Sequence, residues 1–486
     1  MRYVLGIDQS TQGTKAVLAD EYGKIAGRAD RAHRQIINGQ GWVSHDLNEI
    51  YENVLAAARA VLDETDILPE QVAAIGISNQ RETTAIWDRN GAPLTHAVVW
   101  QCARAEGTAR SLSAYSEIIR DKTGLKLSPY FPAAKMAWLI QNLDIQEDDL
   151  GQICLGTIDS WLIFRMTGGA SFKTDYSNAS RTQLYSIRDL KWDEEICGLF
   201  GVPLKCLPDV CDSNSVFGMT DLGGIFPEQI PIHSAIGDSH AALFGQGCHD
   251  SGTIKTTYGT GSSIMMNVED AFVKSSHGLV TSLAWGIDGK IDYVLEGNIN
   301  YTGAVISWLK DDVKLVASPA ETECAAAMAN PLDKTILVPA FSGLSAPYWK
   351  ADAKAVLYGM SRTTGKNEII KAALESIAYQ INAVLESMEK DSGIPIRELR
   401  VDGGPTRNSY LMQLQSDLSN VVVQIANTEE LSAIGAAYLA GLGAGIYEKA
   451  ALFGREERKQ YVPAMKAEQR KEKLADWNHV IDLLSR

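Results

Sequence analysis

Seven cysteines among 486 residues, with no Cys-x-x-Cys pair, leave neither a disulfide framework nor a zinc-site spacing. Positive charge is short as well. Lys and Arg total 45 against 60 Asp and Glu, a net charge of −15, which argues against a broad nucleic-acid-binding surface. No run approaches the roughly 18 apolar residues that span a bilayer. The opening apolar run is interrupted at Asp8, too early for a signal peptide, so the expected location is the cytoplasm with no membrane partner. Neither a Walker Gly-x-x-x-x-Gly-Lys-Ser/Thr loop nor a Gly-x-Gly-x-x-Gly turn after a strand occurs, which excludes the two commonest nucleotide fingerprints.

What is present is the composition of a packed globule, 45% apolar and 22% charged. The length exceeds what one core usually serves, so two domains are expected, 1–247 and 248–486, with Gly245-Gln246-Gly247 as a hinge or an ordinary turn. Residues 3–20 read as a hairpin whose turn, Asp8 to Lys15, is rich in hydroxyls and amides. Leu47–Thr65 has helical periodicity and 73–78 reads as a buried strand, an α/β alternation. After Gly252 the same plan returns, strand, Gly/Ser/Thr-rich turn, strand, and suggests a duplicated two-lobed fold. Helices over 367–390, 409–418 and 431–442 and a strand at 399–401 follow. The charged stretch from Glu456 to Lys473 reads as a solvated tail.

Three such turns, 8–15, 258–263 and 402–408, each read alone as tight loops. Together, with Asp8 and Lys15 inside the first, they point to a polyphosphate held between two lobes. Small residues let backbone N–H groups approach phosphate oxygens, a Lys neutralises charge, and an Asp can position Mg²⁺ through water. Asp238 follows a short strand and precedes an Ala-rich segment, so it fits a helix cap as well as a base that accepts a hydroxyl proton. Arg81, Glu82 and Trp100 could line a small pocket for a hydroxylated carbon chain, the plainer reading being an exposed charge pair. His240 reads as structural.

These segments together resemble the FGGY carbohydrate kinases, most closely their glycerol kinase branch. Residues 130–142 (Tyr-Phe-Pro-Ala-Ala-Lys-Met-Ala-Trp-Leu-Ile-Gln-Asn) are similar to the family's first signature, and 355–375 to its second. Asn79 to Thr84, Val99 to Cys102, Thr174 to Thr182 and Gly343 to Trp349 extend the likeness through nearly the whole chain. The resemblance implies two actin-like, ribonuclease H-like α/β lobes with an interlobe cleft, ATP and Mg²⁺ as cofactors, a small polyol or ketose as substrate, and a homodimer or homotetramer. It also implies roles. Asp8 would serve the metal; Thr11, Gln12, Lys15, Gly259, Thr260, Gly303, Ser307, Gly404 and Asn408 would bind ATP. Arg81, Glu82, Trp100, Tyr130, Asp238, Ser239 and Ser263 would hold the acceptor, Asp238 as base.

Two positions depart from the glycerol kinase pattern, Ser239 standing where that branch has Gln and Ser263 where it has Phe. Both replacements are smaller, and an acceptor longer than glycerol, a tetritol, pentitol or ketopentose, is expected from them. The competing readings are a xylulose- or ribulose-type kinase and, from another class, an actin-like nucleotide-switched scaffold.

Overall fold

Nearly continuous runs of buried residues, the mark of strands covered on both faces, make Tyr3–Gln9 (β1) and Gly13–Ala19 (β2) an antiparallel hairpin, in a computed structural model that describes residues 2–428, 430–454 and 458–484. Ile25–Ala32 (β3) pairs with β2, and Leu47–Thr65 (α1) follows. The Asp46 carboxylate accepts the Asn48 and Glu49 N–H groups at the start of α1, and Ile50, Val54, Ala57 and Val61 form its buried stripe. Val72–Asn79 (β4) runs parallel to β1. Gly218–Thr220 (β5) and Ile230–Gly237 (β6) complete a six-stranded sheet ordered β3-β2-β1-β4-β6-β5, and Asp238–Gly245 (α2) leaves β6 directly.

The second half repeats this plan. Thr253–Tyr258 (β7) and Ser262–Glu269 (β8) form a hairpin, Val280–Ile287 (β9) and Lys290–Ile299 (β10) extend it, and after Lys366–Ser392 (α3) Glu398–Asp402 (β11) runs parallel to β7. With Ser409–Ser419 (α4), Val422–Ile425 (β12), Leu431–Gly443 (α5) and Lys459–Tyr461 (β13), the sheet order is β9-β10-β8-β7-β11-β12-β13. In both sheets an antiparallel hairpin is joined on its first strand by parallel strands arriving after crossovers. The sequence repeat is thus a repeat of topology.

The two halves are not separate bodies. α5 belongs to the second half by sequence, yet its Ala433 and Ala436 carbonyls lie against Gly6 and Gly76 of the first sheet, and Gly435 lets it cross α2 at the Ala241 carbonyl. A Cβ at any of these glycines would collide with backbone, so the close crossing requires them. A smaller five-stranded sheet, Ile36–Ile37, Val43–His45, Ala97–Val98, Thr84–Asp88 and Ile153–Thr157, flanks the first lobe and carries Trp100 and the signature helix Pro132–Asn142.

One expectation is half met. The stretch expected as a solvated tail is solvated, none of its described residues being buried, but it is not a tail: β13 pairs with β12, and Lys473, on the helix Ala467–Leu483 (α6), bonds both oxygens of Glu375 at 3.0 and 3.1 Å. Glu456 and Glu457 lie outside the described residues. The apolar face of α6, Trp477, Val480 and Ile481, falls beyond the charged window, so charge alone misread it.

Candidate functional site

Parallel strands open their carboxyl ends toward one side of a sheet, where crossovers leave a crevice. In the first sheet, register aligns Asp8 with Ser78, and Ser78 with Ile236, so Arg81, Glu82 and Asp238 emerge just beyond that line. Asp238 is the first residue of α2 and its cap is Gly237, which excludes the helix-cap role left open above. The Asp238 carboxylate, about one-third exposed, accepts the Ser239 N–H at 2.6 Å and faces Arg81 Nε at 3.3 Å.

Arg81 and Glu82 are buried, not the exposed pair that adjacency suggests. Arg81 donates Nη1 to Glu296 Oε2 at 3.0 Å, Nη2 to Glu296 Oε1 at 2.8 Å, and Nη2 to Ser239 Oγ at 3.3 Å. Arg181 closes the network, Nη1 on Glu296 Oε2 at 2.8 Å and Nε on Glu82 Oε1 at 2.6 Å. Burial alone would raise the Glu296 carboxyl, but Arg181 and Arg81 overcome it and hold it well below the usual carboxylate range. Two guanidiniums and two carboxylates thus neutralise one another, with Asp238 as a third, accessible carboxylate. Glu82 takes φ +62°, a left-handed backbone that a non-glycine residue adopts at a cost.

The aromatic part of the site comes from the flanking sheet. Trp100 packs edge-on against Tyr130, ring centres 5.6 Å apart, and its Nε1 donates to Thr11 Oγ1 at 2.9 Å, tying the pocket wall to the first turn. Lys135 of the signature helix donates to the Tyr130 carbonyl and, desolvated by burial, is lowered to about 7.

Asp8, at the end of β1, is a further buried carboxylate of the site. Burial first, then the Asp238 charge, push it up from 3.8 to about 6. Between those values the folded protein holds a proton that the unfolded chain has released, so stability falls as pH rises through that window. Above it, ionised Asp8 costs up to about 3 kcal/mol. Asp8→Asn is expected to raise the thermal midpoint at pH 8 and to raise it about half as much at pH 5. Thermal unfolding at the two values checks this; an equal gain at both, or a loss, refutes the assignment.

The turns fall into two groups. In the first, Thr11 and Gln12 sit at the hairpin tip, but the Lys15 ammonium, expected on phosphate, bonds Glu430 Oε2 at 2.9 Å, where Arg28 also binds Oε1 at 2.6 Å. The second and third turns pack together. Gly303 N–H donates to the Gly259 carbonyl at 2.9 Å, Ala304 N–H to that of Thr260 at 3.0 Å, and Gly403, at φ +98°, lies on the Tyr258 carbonyl where no side chain would fit. Gly259, Thr260, Gly303 and Gly404 therefore share one surface. Ser307 is exposed on the short helix begun by Gly303, and Asn408 caps α4, its Oδ1 accepting from Leu411.

The FGGY family of carbohydrate kinases matches the chain twice, its N-terminal domain over residues 3–245 and its C-terminal domain over 254–444. A glycerol kinase of Staphylococcus haemolyticus is 42% identical over 488 residues, covering 99% of this chain and 98% of that one. The chain belongs to the FGGY family of carbohydrate kinases. A crystal structure of Plasmodium falciparum glycerol kinase with ADP superposes at TM-score 0.94 with 36% identity, covering 100% of this chain and 98% of that one. Xylulose kinase from Lactobacillus acidophilus shares the fold at TM-score 0.87 and 22% identity, over 100% of this chain and 97% of that one. This FGGY kinase therefore has the two-lobed actin-like architecture, uses ATP, and is a phosphotransferase with an alcohol group as acceptor. Among its described residues no helix is long and apolar enough to cross a membrane.

Sequence reasoning missed Glu296 and Lys255 in this FGGY kinase, and held Asp402 only as the first residue of the third turn and Arg181 only within a family-like segment, with no role for either. Lys255 is buried, donates to Thr257 Oγ1 at 3.1 Å, and is lowered by desolvation; Asp402 accepts from that hydroxyl at 3.0 Å and is raised by burial to about 6. The signal for Glu296 was an acid directly after the apolar run Tyr293-Val294-Leu295, a charge with no basic residue beside it.

Proposed function

We propose that this kinase transfers the γ-phosphoryl group of Mg-ATP to a primary hydroxyl of a small polyol, with Asp238 accepting the hydroxyl proton. The observation that carries the reading is the seat of Asp238. It is a partly accessible carboxylate held by Arg81 at the carboxyl ends of the first sheet. A base there accepts the proton as the oxygen attacks in line, while positioning supplies most of the rate. Arg81 and Glu82 orient acceptor hydroxyls, and the Trp100 and Tyr130 faces carry its carbon chain.

Thr11, Gln12 and Lys15 from one lobe, and Gly259, Thr260, Gly303, Ser307, Gly404 and Asn408 from the other, hold the nucleotide. Two lobes meeting near Gly247 suit a cleft that closes against water. Mg²⁺ would be held by one carboxylate together with phosphate and water. Asp8, buried and crowded by the Asp238 charge, is that carboxylate. When bound, Mg²⁺ neutralises charge on the phosphate oxygens.

ATP turnover with and without added polyols tests the reading: at least a tenfold rise with the best polyol is expected. Turnover indifferent to every polyol would return the chain to a nucleotide-switched scaffold.

A further inference from the structure

The register of the second sheet sets a row of polar side chains across its cleft-side edge. Asp402, Thr257, Ser263 and Asn298 are successive cross-strand partners on β11, β7, β8 and β10. Partners across a ladder present their side chains on one face, and the next row on that face, two residues away along each strand, is Arg400, Lys255, Met265 and Glu296. Glu296 holds Arg81 and, through it, Ser239 and Asp238, so the polar row borders the acceptor site.

Most of the row is satisfied. Thr257 donates to Asp402, and Asn298 Nδ2 donates to Glu296 Oε1 at 3.2 Å. Ser263 is the exception: its Oγ is buried and has no hydrogen-bond partner. A hydroxyl withdrawn from water without a partner is costly, and a ligand hydroxyl would remove that cost. A three-carbon acceptor that places one hydroxyl at Asp238 and its others at Arg81 and Glu82 has none left for Ser263, which lies one row along the sheet face from Glu296, the partner of Arg81. A longer polyol carries the further hydroxyl that Ser263 lacks.

We infer that Ser263 and Asn298, with Ser239, form a polar extension of the acceptor site that selects a four- or five-carbon polyol over glycerol. The inference rests on the proposed function and deepens it. Ser263 offers both a donor and an acceptor to a distal hydroxyl, and Asn298 stands beside it on the adjacent strand. Ser239, small and next to the base, accepts from Arg81 Nη2 at 3.3 Å and puts a hydroxyl on the same side of the site.

The test is kcat/KM with Mg-ATP for glycerol, erythritol, threitol, ribitol, xylitol and arabitol, on the wild-type enzyme and on Ser263→Ala, Ser263→Phe and Asn298→Ala. The best four- or five-carbon polyol should exceed glycerol by about tenfold or more. Its ratio to glycerol should fall about tenfold in Ser263→Ala and Asn298→Ala, and further in Ser263→Phe, whose ring fills the extension. Ser263→Ala changes almost no volume and keeps the test sound if the Phe variant folds poorly. Glycerol as the best substrate overturns the inference and leaves the proposed function standing, as does a ratio unmoved by both alanine variants. Turnover raised by no polyol overturns both.

Discussion

Asp238→Asn should lower kcat by about 10²–10⁴-fold while ATP still binds within about threefold of wild type. The substitution keeps the shape of the side chain and its place at the start of α2. The amide oxygen still accepts the Ser239 N–H, which Asp238 Oδ1 accepts at 2.6 Å. What is lost is the capacity to take a proton. The lost contact with Arg81 Nε, at 3.3 Å, matters less for the fold, since Asp238 is about one-third exposed and Arg81 retains both Glu296 oxygens. Steady-state kinetics at saturating polyol, together with a nucleotide titration, separate the chemical step from binding. A kcat within tenfold of wild type, or a parallel collapse of ATP affinity, would remove Asp238 from the role of base.

The second large effect is expected at a residue that touches no phosphate. Glu296 is fully buried and is the counter-charge of both Arg81 and Arg181. Glu296→Gln leaves two buried guanidiniums facing a neutral amide, and breaking a buried charge network on one side costs about 3–5 kcal/mol. The thermal midpoint should drop by on the order of 5–10 °C, and kcat/KM for the acceptor should fall as Arg81 loses its seat. The pH dependence has a definite sign. A carboxylate held below its ordinary value stabilises the fold above about pH 4.5 and loses that contribution as pH falls through its depressed value. The variant should therefore lie closest to wild type in acid and furthest from it near neutrality. A midpoint unchanged at pH 7 would mean that Glu296 is not the keystone of the network.

Much of this was legible before any coordinates. The hairpin of β1 and β2 and the strand β4 follow from short apolar runs, because strands covered on both faces are apolar almost throughout, and the helix α1 follows from the 3.6-residue period that burial on one face imposes. The three hydroxyl-rich turns stood out because glycine and small side chains mark places where backbone must approach something closely. The partner that Lys15 has in this structure was not legible: a Lys beside a phosphate-like turn is electrostatically indistinguishable in sequence from one paired with an acid 415 residues away, here Glu430. Arg81 and Glu82 looked like a surface pair because adjacency says nothing about burial, whereas their true partners, Glu296 and Arg181, lie 215 and 99 residues distant.

From the chain alone came the fold class, the duplication, the family resemblance and Asp238 as the candidate base, since these rest on local pattern and on motifs with fixed spacing. Tertiary structure alone decided which charges neutralise one another, that α5 returns to pack on the first sheet, and that Ser263 and Asn298 share a row with Thr257 and Asp402. The reason is that register and charge pairing join segments whose separation along the chain carries no trace of their contact. Asp238 is placed by its strand, but the residues that would choose its substrate are brought to it by the sheet of the other lobe.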